Sequence, residues 1–104
     1  MGDFDYYANP DRGAIPEWDN KWNMASWEKW LTYDPISNAG GQETPVLLVH
    51  SESAMIPDGA RTYHEHLSSE KKIVWMDDVT QDMFYDDMNV IDKVVPEVTA
   101  WFEA

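Results

Sequence analysis

Two solid apolar runs and one long periodic segment organise the second half of the chain. Residues 46–50, VLLVH, form an apolar block closed by polar residues, the pattern of a β-strand covered on both faces. Residues 72–76, KIVWM, repeat it. Between them Pro57 opens PDGARTYHEHLSS, where Ala60, Tyr63, His64 and Leu67 share one helical face and proline takes a favoured first-turn position. Val90, Ile91, Val94, Val95, Val98, Trp101 and Phe102 then follow i, i+1, i+4, i+5, i+8 spacing, which predicts a closing helix. Pro96 lies inside it and predicts a kink or two helical pieces. Strand, helix, strand, helix with short connections predicts an α/β chain: a right-handed, parallel βαβ unit with a trailing helix.

The first half is patterned differently. Residues 1–23, MGDFDYYANPDRGAIPEWDNKWN, mix aromatic rings with Asn-Pro, Pro-Asp, Arg-Gly and Pro-Glu turn signals, which predicts an irregular arm anchored by its rings. In residues 24–33, MASWEKWLTY, the spacing of Trp27, Trp30 and Leu31 predicts a short helix stopped by Asp34-Pro35. SNAGGQETP, residues 37–45, reads as a loop or linker and as the most flexible segment. The organisation expected is one small domain over residues 1–104, with arm, helix and linker in 1–43 and the strand-helix-strand-helix unit in 44–104. Two parallel strands leave both outer edges without partners, and buried-strand sequences need cover on both faces. A homodimer through strand edges and a Trp-rich surface is therefore expected.

Composition narrows the partners. Twenty acidic residues against seven Lys and Arg give a formal charge of −13, which repels nucleic acid phosphates and anionic membrane surfaces and excludes both as primary partners. The same acidity suits salty surroundings, where screening relieves self-repulsion. The six Trp are large rings that dominate cores and interfaces, which favours a partner surface. The absence of cysteine rules out disulfides, thiolate zinc sites and a cysteine nucleophile. MGDFDYYANP has neither the basic start nor the apolar core of a secretion signal, so a soluble, cytoplasmic protein is expected. No cofactor is expected.

The acidic stretch WMDDVTQDMFYDD, residues 75–87, carries the most conspicuous candidate chemistry. Asp77, Asp78, Asp82, Asp86 and Asp87 are hard oxygen ligands, yet the calcium-loop pattern D-x-[DN]-x-[DN]-G is absent, and Asp86 and Asp87 stand where they would cap the closing helix. His64 and His66 are two apart on a helix and do not form an i, i+4 metal pair. No metal site is expected. His50, at the end of the first strand, is a candidate ligand-binding residue, as is Gln81, which both donates and accepts hydrogen bonds.

Residues 44–87, TPVLLVHSESAMIPDGARTYHEHLSSEKKIVWMDDVTQDMFYDD, resemble the C-terminal part of α/β-hydrolases in a bacterial branch near the dienelactone hydrolases, and the arm DYYANPDRGAIPEWDNKWNMASWEKWLTYDPI resembles the segment preceding those strands. The resemblance runs from about Phe4 to Phe102. It implies a strand ending in the loop of the catalytic acid, then a helix, then a strand leading to the loop of the catalytic histidine. The family's serine stands in a G-x-S-x-G elbow, and these 104 residues contain none. Its acid, four residues before the loop proline, corresponds to Ser53, with Glu52 adjacent as a substitute. Its histidine corresponds to Gln81, which cannot titrate and so cannot relay a proton. Three functions follow as expectations: a non-catalytic, homo-oligomeric structural or interaction protein; a subunit of a split ester or lactone hydrolase whose serine lies on another chain; or a small-molecule binding module.

Overall fold

A computed structural model describes residues 5–19 and 21–104. Residues 1–4 and 20 of the expected arm lie outside the described residues. The arm opens with α1 (Asp5–Ala8), and a 3-10 turn at Met24–Ser26 leads into α2 (Trp27–Thr32). A second 3-10 segment at Ile36–Gly41 precedes β1 (Val46–Ser51), α3 (Pro57–His66), β2 (Lys71–Met76), α4 (Met83–Asp86) and α5 (Met88–Glu103).

The two strands pair in parallel, with Val46 opposite Lys71 and Ser51 opposite Met76. Alternation of side chains along a strand places His50 and Trp75 on one face and Lys72, Val74 and Met76 on the other. The Arg61 guanidinium of α3 lies 4.2 Å from the centre of the Trp75 ring. Lys72 pairs with Glu97 of α5 at 2.7 Å. The crossover helix and the closing helix therefore cover opposite faces, giving a helix-sheet-helix unit.

Local chemistry explains where α3 begins and ends. Pro57 supplies the first helical residue, and the residue before it, Ile56, is left-handed at φ 52°, ψ 57°. That conformation costs a β-branched residue roughly 1–2 kcal/mol. It lets the Ile56 carbonyl accept from Gly59 N–H at 3.0 Å and Ala60 N–H at 3.3 Å. A Cβ at position 59 would come within 2.9 Å of the Ile56 Cγ2, so a larger residue there would push the exposed Ile56 side chain aside. At the other end Lys71 Nζ donates to the carbonyls of His64, Glu65 and Leu67 at 2.8, 3.1 and 3.0 Å. A cation on three terminal carbonyls stabilises both the unpaired oxygens and the negative end of the helix. Lys71→Met is expected to lower stability by about 1 kcal/mol, read as a shift in denaturant midpoint at unchanged slope.

Several expectations need correction. The segment expected to be a flexible linker contains the 3-10 turn Ile36–Gly41, which packs against α3 and buries Ala39 at 1% exposure. The approach does not depend on glycine at position 40, where a Cβ would stand at an ordinary contact distance, 3.8 Å, from the His66 carbonyl. Ser68 Oγ fastens the turn by donating to the Gly40 carbonyl at 2.8 Å. Pro96 does not divide the closing helix, which runs unbroken from Met88 to Glu103. Most importantly, the strands are only half-buried. Among the described residues Ala39, Leu67 and Val90 alone form the buried apolar core. The accessible surface, 8092 Å², exceeds the roughly 6,000 Å² of a compact folded monomer of this mass. The radius of gyration, 16.2 Å, likewise exceeds the roughly 13 Å of a compact chain this long.

Candidate functional site

The C-terminal ends of the parallel strands, where ligands bind in open α/β sheets, bring together the loop after β1 and the loop after β2. Ser51, the last residue of β1, is fully buried. Its hydroxyl donates to the Asp77 carbonyl at 3.1 Å and accepts from the Ser53 and Val79 backbone N–H groups at 3.2 Å each. Ser53 Oγ donates to the same Asp77 carbonyl at 3.0 Å. Both serines are thus committed to backbone groups, and Ser53, at the acid's expected position, acts as a loop fastener.

Gln81 completes the connection. Its Oε1 accepts from the Met55 N–H at 3.3 Å, and its Nε2 donates to the Tyr85 hydroxyl at 3.0 Å. A neutral side chain that both accepts and donates joins two loops that a titrating residue would couple through a proton. Glu52 pairs with Arg61 and also accepts from Trp75 Nε1 at 3.2 Å. His50 stacks on Trp75, with ring centres 5.4 Å apart and planes 15° from parallel, while its Nδ1 accepts from the Ser51 N–H at 2.8 Å. His50, Trp75, Arg61 and Glu52 therefore form one layered cluster on the α3 face. The sequence-predicted residues sit on one end of the sheet, but each is occupied in holding it.

The acidic loop divides its carboxylates between two tasks. Asp87 is the N-cap of α5 and accepts from the Asn89 N–H at 2.9 Å, as expected of it. Asp86 does not share that role: it ends α4 and receives the Arg12 guanidinium, Nε and Nη2, at 2.7 and 2.8 Å. A bidentate cation outcompetes a single backbone donor for this carboxylate. Arg12 also reaches Asp5 and the buried Asp82, both at 3.1 Å, and lies over the Tyr6 ring at 5.5 Å. These bonds hold the Arg12 pKa above its ordinary value and, chiefly through the Arg12 hydrogen bond, hold Asp86 below its own. Tyr6 packs against Tyr85 at 4.9 Å, and Tyr7 against Trp18 at 6.4 Å. A hydrogen bond with Tyr85 raises the Tyr7 phenol. The arm is anchored by its rings, as expected, and by an arginine that sequence reasoning overlooked. One basic residue among the turn-forming residues of an acidic chain was the available signal.

Among the described residues no group of three or more His, Asp or Glu side chains could hold a metal ion. A cavity of about 450 Å³ lies between the end of β2 and the start of α5, lined by apolar residues such as Met76, Val79 and Val90 together with the charged Asp77, Asp78 and Lys93. No helix among the described residues is long and apolar enough to cross a membrane.

Fold and site together define a mixed α/β protein with a two-stranded parallel sheet whose strand ends are bound into a polar knot. Comparison with family models, with curated proteins and with solved structures finds no match.

Proposed function

We propose that the chain is a non-catalytic, α/β-hydrolase-like interaction protein whose role is carried by the surfaces it offers to another polypeptide. The observation behind this reading is the Gln81 bridge. The residue at the position of the family's histidine spans from Met55 to Tyr85 and holds the two strand-end loops together. Ser51 and Ser53, the nearby hydroxyls, are engaged with backbone groups, and among the described residues no histidine side chain bonds to either hydroxyl. A serine without a base is a weak nucleophile.

The purified chain is expected to hydrolyse neither p-nitrophenyl esters nor small lactones above the buffer rate, and to form no adduct with a fluorophosphonate. Gln81→His is expected to leave it equally inert, because a base is of no use without an elbow serine. Gln81→Ala is expected to lose about 1 kcal/mol of stability. Stoichiometric labelling of Ser51 or Ser53, with turnover, would falsify the non-catalytic reading.

The open outer edge of β1 favours a second reading. The sheet contains only β1 and β2 among the described residues, so a strand from another chain has a row of backbone donors and acceptors to join. Such a chain, carrying G-x-S-x-G, would make this one the subunit of a split ester or lactone hydrolase. Co-expression with a G-x-S-x-G chain that yields a stable, ester-hydrolysing complex would support it; separate elution of the two would exclude it.

A further inference from the structure

The outer edge of β1 carries a short, bounded row of backbone groups. Val46 N–H donates to the Glu70 carbonyl and Glu52 N–H to the Met76 carbonyl, each at 2.9 Å. In a parallel ladder alternate residues turn both backbone groups to the same side, so positions 46, 48, 50 and 52 face β2 and positions 45, 47, 49 and 51 face away. Both ends of the outward row are restricted. Pro45 offers a carbonyl but no N–H. Ser51 uses both of its groups within the chain: its N–H donates to His50 Nδ1 at 2.8 Å, and its carbonyl accepts from the Ala54 N–H at 3.3 Å. Two complete residues remain, Leu47 and Val49, and among the described residues nothing bonds to their outward groups.

That remainder matches itself. About a two-fold axis at Leu48, an antiparallel second copy sets Leu47 of each chain opposite Val49 of the other, and each such pair exchanges two hydrogen bonds. All four groups on each copy are then satisfied. Sliding the second copy two residues one way sets Leu47 opposite Ser51, whose groups are taken; sliding it the other way sets Val49 opposite Pro45, which cannot donate. Charge favours the same register. The chain carries a formal charge of −13, yet residues 44–51, TPVLLVHS, contain no Asp, Glu, Lys or Arg. The centred register sets Glu52 opposite Thr44 and Glu43 opposite Ser53, so no acidic residue meets another directly across the pair. The β2 strand differs, since Lys71 and Lys72 open it and Asp77 and Asp78 follow it, charges of the kind that discourage pairing at an edge.

We propose that β1 pairs antiparallel with β1 of a second copy about Leu48, giving a four-stranded sheet in the order β2, β1, β1, β2. The elements that pack substantially on β1 are β2, α3 and α5, and the two helices cover its faces, which leaves the edge within reach. Residues 46–50 are apolar or neutral yet only half-buried in the single chain. This inference rests on the reading of the protein as an interaction module and supplies its partner.

The chain has no cysteine, so one introduced cysteine reports the register. Leu48→Cys is expected to form a disulfide dimer on mild oxidation at micromolar protein, because the two copies of this position face each other with Cα atoms about 4.5 Å apart, within disulfide reach. Leu47→Cys and Val49→Cys are each expected to remain unlinked when oxidised alone and to link when mixed. Hydrogen exchange of the wild type gives a reading without substitution: the Leu47 and Val49 amides are expected to slow as protein concentration rises. Val49→Pro removes an outward donor and no bond of the β1–β2 ladder. It is expected to raise the dimer dissociation constant about thirtyfold or more, two hydrogen bonds being lost per dimer, while the Leu48 amide stays protected. A wild type that is monomeric in sedimentation equilibrium overturns the proposal, as do Leu47 and Val49 amides indifferent to concentration, or a Leu47→Cys chain that links alone while the Leu48→Cys chain does not. Protection of this edge only by a G-x-S-x-G chain also overturns it and assigns the edge to that chain. Should a cysteine or proline variant fail to fold, the wild-type mass and exchange decide. The ester assay reads the parent proposal independently: an inert monomer sinks the β1 pairing alone, and an active dimer sinks the non-catalytic reading alone.

Discussion

Ser51→Ala is expected to lower the unfolding free energy by about 2–4 kcal/mol, the largest loss of any single-atom deletion at the strand ends. The buried hydroxyl serves three backbone groups: the Asp77 carbonyl and the N–H groups of Ser53 and Val79. Alanine leaves the Ser53 and Val79 N–H groups without the buried acceptor they share, and each donor that stays unpaired costs about 1–3 kcal/mol. The Asp77 carbonyl keeps its bond from Ser53 Oγ, so the loss arises chiefly on the donor side. Ser53→Ala removes one donor at an exposed position and is expected to cost less than about 1 kcal/mol. Denaturant unfolding of the two variants measures the difference. Equal losses, or a Ser51→Ala loss below about 1 kcal/mol, would show that the knot does not set the stability of the strand ends.

Arg12→Gln is expected to undock the arm while leaving the βαβ unit folded. Arg12 is one cation serving Asp5, Asp82 and Asp86, and through the last two it joins residues seventy and more positions away. Its removal sets three carboxylates beside one another without their shared counterion. Hydrogen exchange is the suitable measurement: the Gly13 amide, bonded to the Tyr6 carbonyl at 3.0 Å, is expected to lose its protection, whereas the ladder amides of β1 and β2 keep theirs. Arg12→Lys retains the charge and loses the two-nitrogen fork, and so is expected to fall between the two. Protection of Gly13 unchanged in Arg12→Gln would mean that the tyrosine contacts hold the arm alone.

The same latch sets a direction for pH. Asp86 titrates below its ordinary value when Arg12 is docked. A carboxyl whose pKa is depressed by docking contributes its full stabilisation above the free value of about 4 and loses it as pH falls through the docked value. Arm docking is therefore expected to be flat through neutral pH and to weaken in acid. Asp5 and Asp82 also face this guanidinium, each at 3.1 Å, and the Tyr6 ring lies beneath it. Salt at about 1 M is expected to weaken docking too, since screening then acts within about 3 Å.

Local pattern carried much of the architecture. The apolar blocks at 46–50 and 72–76 lie within β1 and β2, Pro57 opens α3, and Asp87 caps α5. Each of these depends on neighbours in sequence: strand periodicity, the fixed φ of proline, a carboxylate two residues before an unpaired N–H. The linker reading of residues 37–45 failed because glycine and alanine signal flexibility only when nothing packs on them, and α3 packs on this turn. The face of Trp27, Trp30 and Leu31 was legible as a face, but spacing cannot say what covers it, and among the described residues no other element does so.

The candidate site shows the same division. The chain by itself determined the parallel strand-helix-strand unit, the lack of a G-x-S-x-G serine and the presence of glutamine at position 81, because these are properties of residue type and local order. Only the tertiary structure decided that Ser51 is a buried three-way fastener, that Gln81 is a strut between two loops, and that Asp86 answers to Arg12 rather than to α5. Each of those roles includes a hydrogen bond between residues 26 to 74 positions apart, and no periodicity in a sequence encodes which distant carbonyl or carboxylate a donor will meet.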